Sequence, residues 1–148
     1  MTGRASVRLA IEVAVDPATA FEVFTADIDA WYRKGPHSFS RPSKAVGIRF
    51  EPRVGGRLVE VHDIETGEGH EMARITVWQP GRRVVFVDSR GSEVDVSFDE
   101  VDDGTRVVLE HRGLDRLPPG QAAVRRTIPG WPRLLDWFGE HMRARVGS

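Results

Sequence analysis

The sequence predicts an α+β fold in which a curved antiparallel sheet of seven strands wraps around one long C-terminal helix. Seven apolar segments follow one another, and most are separated by turns short enough for hairpins, which join antiparallel strands. The last part of the chain instead repeats apolar residues at helical spacing, which is typical of a helix that covers one face of a sheet. Two short helices are predicted between the first and the second strand.

The chain has 148 residues, enough for one core that buries about 68–70% of the unfolded surface, so we expect a single domain spanning residues 1–148. Its formal net charge is −1, with 21 Lys and Arg against 22 Asp and Glu, which argues against nucleic acid as a partner. Cysteine is absent, which excludes disulfides and thiolate chemistry. No apolar run approaches the roughly 20 residues of a membrane span, and no signal peptide is recognisable, so we expect a cytoplasmic protein.

The first strand is predicted over Val7 to Val15, where apolar residues alternate with polar or small ones, the period of two of a strand with one buried face. Asp16 and Pro17 stop this strand, with Asp16 as the cap and Pro17 in the first turn of a short helix. A second short helix is expected at Asp27 to Trp31. The Gly-, Pro- and Ser-rich segment from Gly35 to Ser43 is predicted to be a loop.

Six further strands are predicted after this loop, separated by turns rich in Gly, Pro and Asp. Alternation in the last two of them places one face in the core and the other in water. The predicted strands are Val46 to Glu51, Arg57 to Asp63, His70 to Trp78, Val84 to Asp88, Glu93 to Asp99 and Arg106 to Arg112.

The long helix is expected to begin near Gly130, with Pro132 in its first turn. Its apolar residues fall on one stripe that can pack on the sheet, while charged residues fall off that stripe. The stripe consists of Trp131, Leu134, Leu135, Phe138 and Met142.

Five segments along the chain carry a family resemblance: Phe21 to Tyr32, Phe50 to Arg57, Trp78 to Pro80, Gly104 to Gly113, and Gly130-Trp131. In this order they resemble the helix-grip fold of the START/Bet v 1-like superfamily, and within it the branch named after the C-terminal domain of the activator of Hsp90 ATPase. The resemblance implies an apolar cavity between the sheet and the long helix. Members bind lipids, hormones or polyketides, a few cyclise polyketides, and the Hsp90 activator domain contacts a chaperone.

We therefore expect the chain to bind a small hydrophobic molecule, lipid or polyketide-like, between the sheet and the C-terminal helix. No cofactor and no metal are expected, and homodimerisation through an exposed sheet edge is left open. The residues expected to contact the ligand are Trp31, Tyr32, His37, Phe50, Val59, Val61, Val96, Phe98, Leu109, His111, Trp131, Leu135 and Phe138.

Two of these residues are candidates for proton transfer. His111 shares a strand face with Val107 and Leu109, so its imidazole should point inward, where it could act as a general acid or base or be a satisfied core histidine. Tyr32 is the only tyrosine of the chain, and its hydroxyl could donate to a ligand carbonyl. Trp31 could equally be a plug that closes one end of the core.

Two weaker patterns have a functional and a structural interpretation. Arg53 to Arg57, with two glycines, could bind an anion, but Gly-Gly between two strands favours a tight turn. His62 and His70 flank one hairpin, but without a clear third ligand they favour solvated side chains over a metal site. No phosphate-binding or dinucleotide motif is present.

Two alternatives to simple ligand binding remain open. One is cyclase- or aromatase-like chemistry on a polyketide-type substrate, with His111 and Tyr32 as the proton-transfer residues. The other is an interaction module for an Hsp90-type chaperone, although the chain lacks a second, N-terminal domain like that of the chaperone activator.

Overall fold

The computed structural model describes residues 7–32, 46–88, 91–113 and 133–147. Seven strands and three helices lie in these ranges. The strands are β1 (Val7–Val13), β2 (Gly47–Phe50), β3 (Arg57–Val61), β4 (Gly69–Gln79), β5 (Arg83–Asp88), β6 (Glu93–Val101) and β7 (Gly104–Arg112), and the helices are α1 (Pro17–Thr25), α2 (Ile28–Trp31) and α3 (Arg133–Gly147).

The seven strands form one antiparallel sheet in the order β1-β7-β6-β5-β4-β3-β2. Six strands follow as successive hairpins from β2 to β7, and β1 pairs with the last of them, so β1 and β2 are the two edges. The predicted helix-grip α+β fold is confirmed. None of the helices in the described ranges has the length and apolar character needed to cross a bilayer.

The three helices pack on one face of the sheet, here called the concave face. Directly opposed residues of antiparallel strands point to the same side, so the register identifies this face across the sheet. It carries the core cluster, to which the helices add Phe24, Ile28 and Phe138. The carboxylate of Asp16, expected to cap α1, accepts a hydrogen bond from the Thr19 hydroxyl and none from a backbone amide.

The apolar face of β1 is buried only in its second half, which corrects the prediction of a uniformly buried face ending at Val15. The strand ends at Val13, which is buried, whereas Val7 and Leu9 are each 39% exposed. The reason is the position of α3. Its Gly139 lies so close to β1 that an added Cβ would sit 3.2 Å from the Ile11 side chain, and the strand is uncovered toward its start.

Strand β3 presents its side chains in the opposite phase to the one predicted. Leu58 and Glu60 face the core, because Leu58 opposes Phe50 and Glu60 opposes Ile48 on β2. The ligand-wall assignments of Val59 and Val61 are therefore wrong: both are buried, but on the convex face of the sheet. Val59 accordingly opposes the exposed Arg49.

A register shift in β4 between Ile75 and Val77 places both Ile75 and Trp78 on the concave face. An extra residue in a strand moves all later side chains to the other face, so alternation alone does not determine which face Trp78 occupies. The Trp78 ring packs edge-on against Phe21, with centroids 5.1 Å apart.

Helix α3 has the predicted apolar stripe, with Leu134, Leu135, Phe138 and Met142 buried. Trp137, which the stripe did not include, is also buried and stacks edge-on against Tyr32 at 5.2 Å. Of the predicted ligand contacts, His37 and Trp131 lie outside the described residues.

Candidate functional site

The concave face has two chemically different ends. One end is where β2, β4 and β6 begin and β3, β5 and β7 finish, and the strand register brings polar side chains there. We call it the polar end, defined by Glu60, His62, Asp88, Ser92 and His111. The opposite end, here the aromatic end, is formed by Phe50, Trp78 and Phe98 on the sheet with Phe21 and Phe24 of α1.

The aromatic end is filled by rings in direct contact. Phe24 lies at its centre, with ring centroids 5.7 Å from Phe98, 6.4 Å from Phe50 and 5.2 Å from Phe138. Phe50, Phe98 and Phe138 were predicted to line a ligand cavity, and here they pack on Phe24. Val96, Leu109 and Leu135 are likewise buried in the core.

Trp31 serves the structural role that was one of its two interpretations. Its indole Nε1 donates a hydrogen bond to the Val23 carbonyl at 3.0 Å, and its ring packs against Phe24 at 5.1 Å and Phe138 at 5.5 Å. The polar atom of the side chain is therefore already used to tie α2 to α1. Tyr32, the next residue, is buried against Trp137.

His111 points into the concave face, as the alternation of β7 predicted. It lies between Val7 of β1 and Val94 of β6 and is almost fully buried. His111 interacts with another part of the protein, and its Nε2 atom is buried.

The sequence prediction missed Glu60, which is the one buried carboxylate in the described part of the chain, with an exposure of 0%. Its Oε2 lies 2.6 Å from Nε2 of His62, two residues further along the same face. The His62 side chain is 20% exposed. The sequence did contain a signal for this orientation. In Leu58-Val59-Glu60-Val61 two adjacent apolar residues leave it undecided which set of alternating side chains faces the core.

The Gly-Gly segment after β2 is a tight turn rather than an anion site. The Gly55 amide donates to the Ile75 carbonyl at 2.8 Å and the Gly56 amide to Arg53 at 3.0 Å, so both amides are occupied. Gly55 has a φ of 84°, which explains the need for glycine. Arg57 pairs with Glu51 and lowers the pKa of that carboxyl to about 2, mainly through a side-chain hydrogen bond.

A network of ion pairs lies on the convex face, on the other side of the sheet from the site. Asp95 bonds to Arg83 and Arg112 at 2.6 Å each, and Arg112 also bonds to Glu93 and Glu110. Burial acts to raise the pKa of Asp95, but the hydrogen bonds and charges of the two arginines outweigh it and lower the pKa. Such a carboxylate stays ionised and is committed to structure, which agrees with its predicted position off the ligand face.

The two histidines of the β3–β4 hairpin are used differently. His62 binds Glu60, whereas His70 is exposed although its Cα opposes Glu60. Within the described ranges, no group of three or more His, Asp or Glu side chains is placed to hold a metal ion.

Comparison with known proteins agrees with this architecture. The family described as activator of Hsp90 ATPase homolog 1-like protein matches residues 14–143. No curated protein matches the chain. Among solved structures, protein NE0264 from Nitrosomonas europaea is 15% identical with a TM-score of 0.69, over 98% of each chain.

Two further solved structures bear on function. The anthrahydroquino-gamma-pyrone synthase Txn09 is 30% identical with a TM-score of 0.59, over 90% of this chain and 94% of the synthase. The Aha1 dimer from Colwellia psychrerythraea is 15% identical with a TM-score of 0.59, over 88% of this chain and 90% of that one, which shows the fold alone. By the extent of the family match, the chain belongs to the activator of Hsp90 ATPase homolog 1-like family, within the START/Bet v 1-like superfamily.

Proposed function

We propose that the chain binds a small hydrophobic molecule against the concave face at the polar end. The observation that carries this proposal is the apolar surface of Val7 and Leu9, which is 39% exposed on the face that elsewhere forms the core. These residues oppose His111 and Leu109 on β7, both of which are buried. An apolar surface beside a few convergent polar groups is the usual composition of a ligand site.

The distribution of side chains favours this end over the rest of the concave face. Rings occupy the aromatic end, and Gly139 of α3 packs close to Ile11 in the second half of β1. Glu60 on β3 and His111 on β7 are four strand spacings apart, which is about 19 Å along the sheet at ~4.8 Å per strand. Curvature shortens this separation, so a fused-ring ligand lying across β4 to β6 could contact both walls at once.

The test combines mass spectrometry with chemical-shift mapping. Native mass spectra of the purified protein would reveal a co-purifying molecule, and the chain would then be titrated with a long-chain fatty acid and with 1,2-dihydroxyanthraquinone. We expect saturable one-to-one binding of one probe, with the amide shifts concentrated at Glu60, Ser92 and His111 and absent at Trp78 and Phe98. Folded protein that binds neither probe, or shifts confined to the aromatic end, would refute the proposal.

Cyclase-type chemistry on a polyketide-like substrate is the second candidate, and its support is the 30% identity to Txn09 over 90% of the chain. From the sequence, His111 and Tyr32 are the candidates for proton transfer. A suitable probe is a 2-hydroxyaryl 1,3-diketone. Its phenol oxygen can add to the distal carbonyl, and loss of one water then gives a γ-pyrone. We expect product at a rate above buffer that falls at least about tenfold in His111→Gln; equal rates with and without protein would exclude this activity.

Interaction with an Hsp90-type chaperone and homodimerisation stay predictions. The family description and the dimer solved for the Colwellia relative motivate them, but the site geometry favours neither.

A further inference from the structure

Glu60 is an acidic residue among apolar neighbours. It has no exposed surface, and on the concave face it lies beside Leu58 and opposite Ile48. A carboxylate in such surroundings costs free energy unless it is hydrogen-bonded or paired, and a leucine of similar volume would cost nothing. The position therefore calls for an explanation beyond packing.

One partner of Glu60, His62, suggests what the carboxylate does. Nε2 of His62 lies 2.6 Å from the Glu60 carboxylate, slightly shorter than the roughly 2.7–2.9 Å usual for a charge-assisted hydrogen bond from nitrogen to a carboxylate. With Glu60 ionised, its carboxylate can only accept, so Nε2 carries the proton, and in the neutral ring Nδ1 is then the acceptor nitrogen. Glu60 thus fixes both the tautomer and the orientation of the ring.

Glu60 and His62 differ in solvent exposure, which indicates different roles for the two side chains. Glu60 is inaccessible, whereas the His62 side chain is 20% exposed at the polar end. Among the described residues, two other titratable groups lie nearby: His70 has its Cα opposite Glu60 on β4, and Asp29 of α2 accepts the Ile48 amide at 3.0 Å. Of the histidines next to Glu60, His62 is the one that the carboxylate orients.

We propose that Glu60 and His62 form a general-base pair that takes the proton of an acidic hydroxyl on the bound ligand, a proposal that rests on ligand binding at the polar end. The ligand O–H bond breaks, its electron pair stays on oxygen, and a new N–H bond forms at Nδ1 of His62. The Glu60 carboxylate neutralises the resulting imidazolium. His62 is the catalytic residue because it contacts the hydroxyl, and Glu60 is a positioning residue that acts through it.

This chemistry selects one class of ligand. Imidazole is a base of intermediate strength, and it ionises a hydroxyl efficiently only when the two acidities are similar. Phenols of fused aromatic ketones and enols of 1,3-dicarbonyl compounds meet this condition, whereas aliphatic alcohols and lipid tails do not. The ligand is therefore an acidic phenol or enol.

The experiment uses 1,2-dihydroxyanthraquinone, whose visible spectrum changes when a phenolic proton is lost. Binding is measured by tryptophan quenching, and ionisation of the bound dye by absorbance, at a pH where the free dye is protonated. With the native chain we expect an ionised bound dye. His62→Gln should lower the ratio of ionised to neutral bound dye at least about tenfold and, by linkage, raise the dissociation constant of the dye by up to about the same factor, while the dissociation constant of the fatty acid stays within about threefold. Glu60→Gln should also lower this ratio, and the exposed control His70→Gln should leave it unchanged.

Each alternative result has a defined meaning. A dye that binds the native chain in its neutral form, or a His62→Gln variant that keeps the native ratio, overturns the general-base assignment and leaves ligand binding intact. Failure of both the dye and an apolar probe to bind the native chain overturns the two proposals together. A ligand-free readout is the ¹⁵N spectrum of the His62 ring: we expect the Nε2–H form, and an Nδ1–H form would refute the pairing.

Discussion

Replacing Glu51 with glutamine tests the electrostatics of the β2–β3 turn. The Glu51 carboxylate accepts three hydrogen bonds, all of them from Arg57. The donors are the Arg57 backbone amide at 2.8 Å, its Nε at 3.1 Å and its Nη2 at 2.9 Å. The carboxylate is 15% exposed and the guanidinium 37%. A glutamine would keep one acceptor but would place its own amide protons against the Arg57 donors.

The magnitude follows from the pKa of Glu51. Lowering this pKa from 4.5 to about 2 corresponds to at most about 3.4 kcal/mol of stability. Water screens the half-exposed guanidinium, and a surface pair contributes only up to ~1 kcal/mol, so we expect Glu51→Gln to lose about 1–2 kcal/mol. Because the folded pKa is depressed, the contribution is complete above pH 4.5 and disappears as the pH falls toward about 2.

Urea unfolding followed by circular dichroism at about pH 7 and about pH 3 measures this difference. The native chain and Glu51→Gln should differ at the higher pH, and the difference should fall to less than about half at the lower one. Glu12→Gln is the matched control, since Glu12 and Arg106 form a pair that is 59% and 54% exposed, and its loss should be within about 0.5 kcal/mol. Equal stability of Glu51→Gln and the native chain at both pH values would refute the argument.

Two further substitutions test how the core positions the site. Trp31→Phe removes the hydrogen bond to the Val23 carbonyl and should lower the free energy of unfolding in urea by about 1–3 kcal/mol. The affinity for the probe should stay within about twofold of the native value. A larger loss of affinity would show that Trp31 contacts the ligand. Gly56→Ala would bring a Cβ to 2.6 Å from the Glu51 carbonyl oxygen and should cost at least about 2 kcal/mol. Gly139→Ala meets only the flexible ends of Ile11 at 3.2 Å and Arg143 at 3.4 Å and should change stability by less than about 1 kcal/mol. Similar losses in the two variants would contradict this steric account.

The strands and their antiparallel order could be predicted because hairpin turns and alternation are local signals. The extent of burial could not, because it depends on where a distant element lies. Val7 and Ile11 look equivalent in the sequence, yet only Ile11 lies under Gly139 of α3. The same limit applies to the predicted ligand wall. Phe50 and Phe98 were correctly placed on the concave face, but the packing of Phe24 between them depends on the tertiary structure, which local sequence patterns do not reveal.

The phase of β3 was predicted wrongly for a different reason. Placing Val59 and Val61 inside satisfies the rule that apolar residues are buried, and it leaves Glu60 in water. In the structure, Glu60 instead points to the concave face, where it opposes Ile48 and binds His62. Local rules fail most often where a side chain is retained for function rather than for stability. The failed prediction for β3 therefore indicates Glu60 as a candidate functional residue.

This interpretation has a consequence for stability that separates it from a structural role. If the Glu60–His62 pair mainly held β3 in place, replacing Glu60 with isosteric glutamine would break a buried pair and cost about 3–5 kcal/mol. If the carboxylate is retained for ligand chemistry, removing its buried charge should leave the free energy of unfolding within about 1 kcal/mol of the native value, or raise it. Urea unfolding of Glu60→Gln at about pH 7 decides between the two. A stable variant that no longer ionises the bound phenol would show that the charge serves the ligand, whereas a loss of about 3 kcal/mol or more would assign Glu60 to the scaffold.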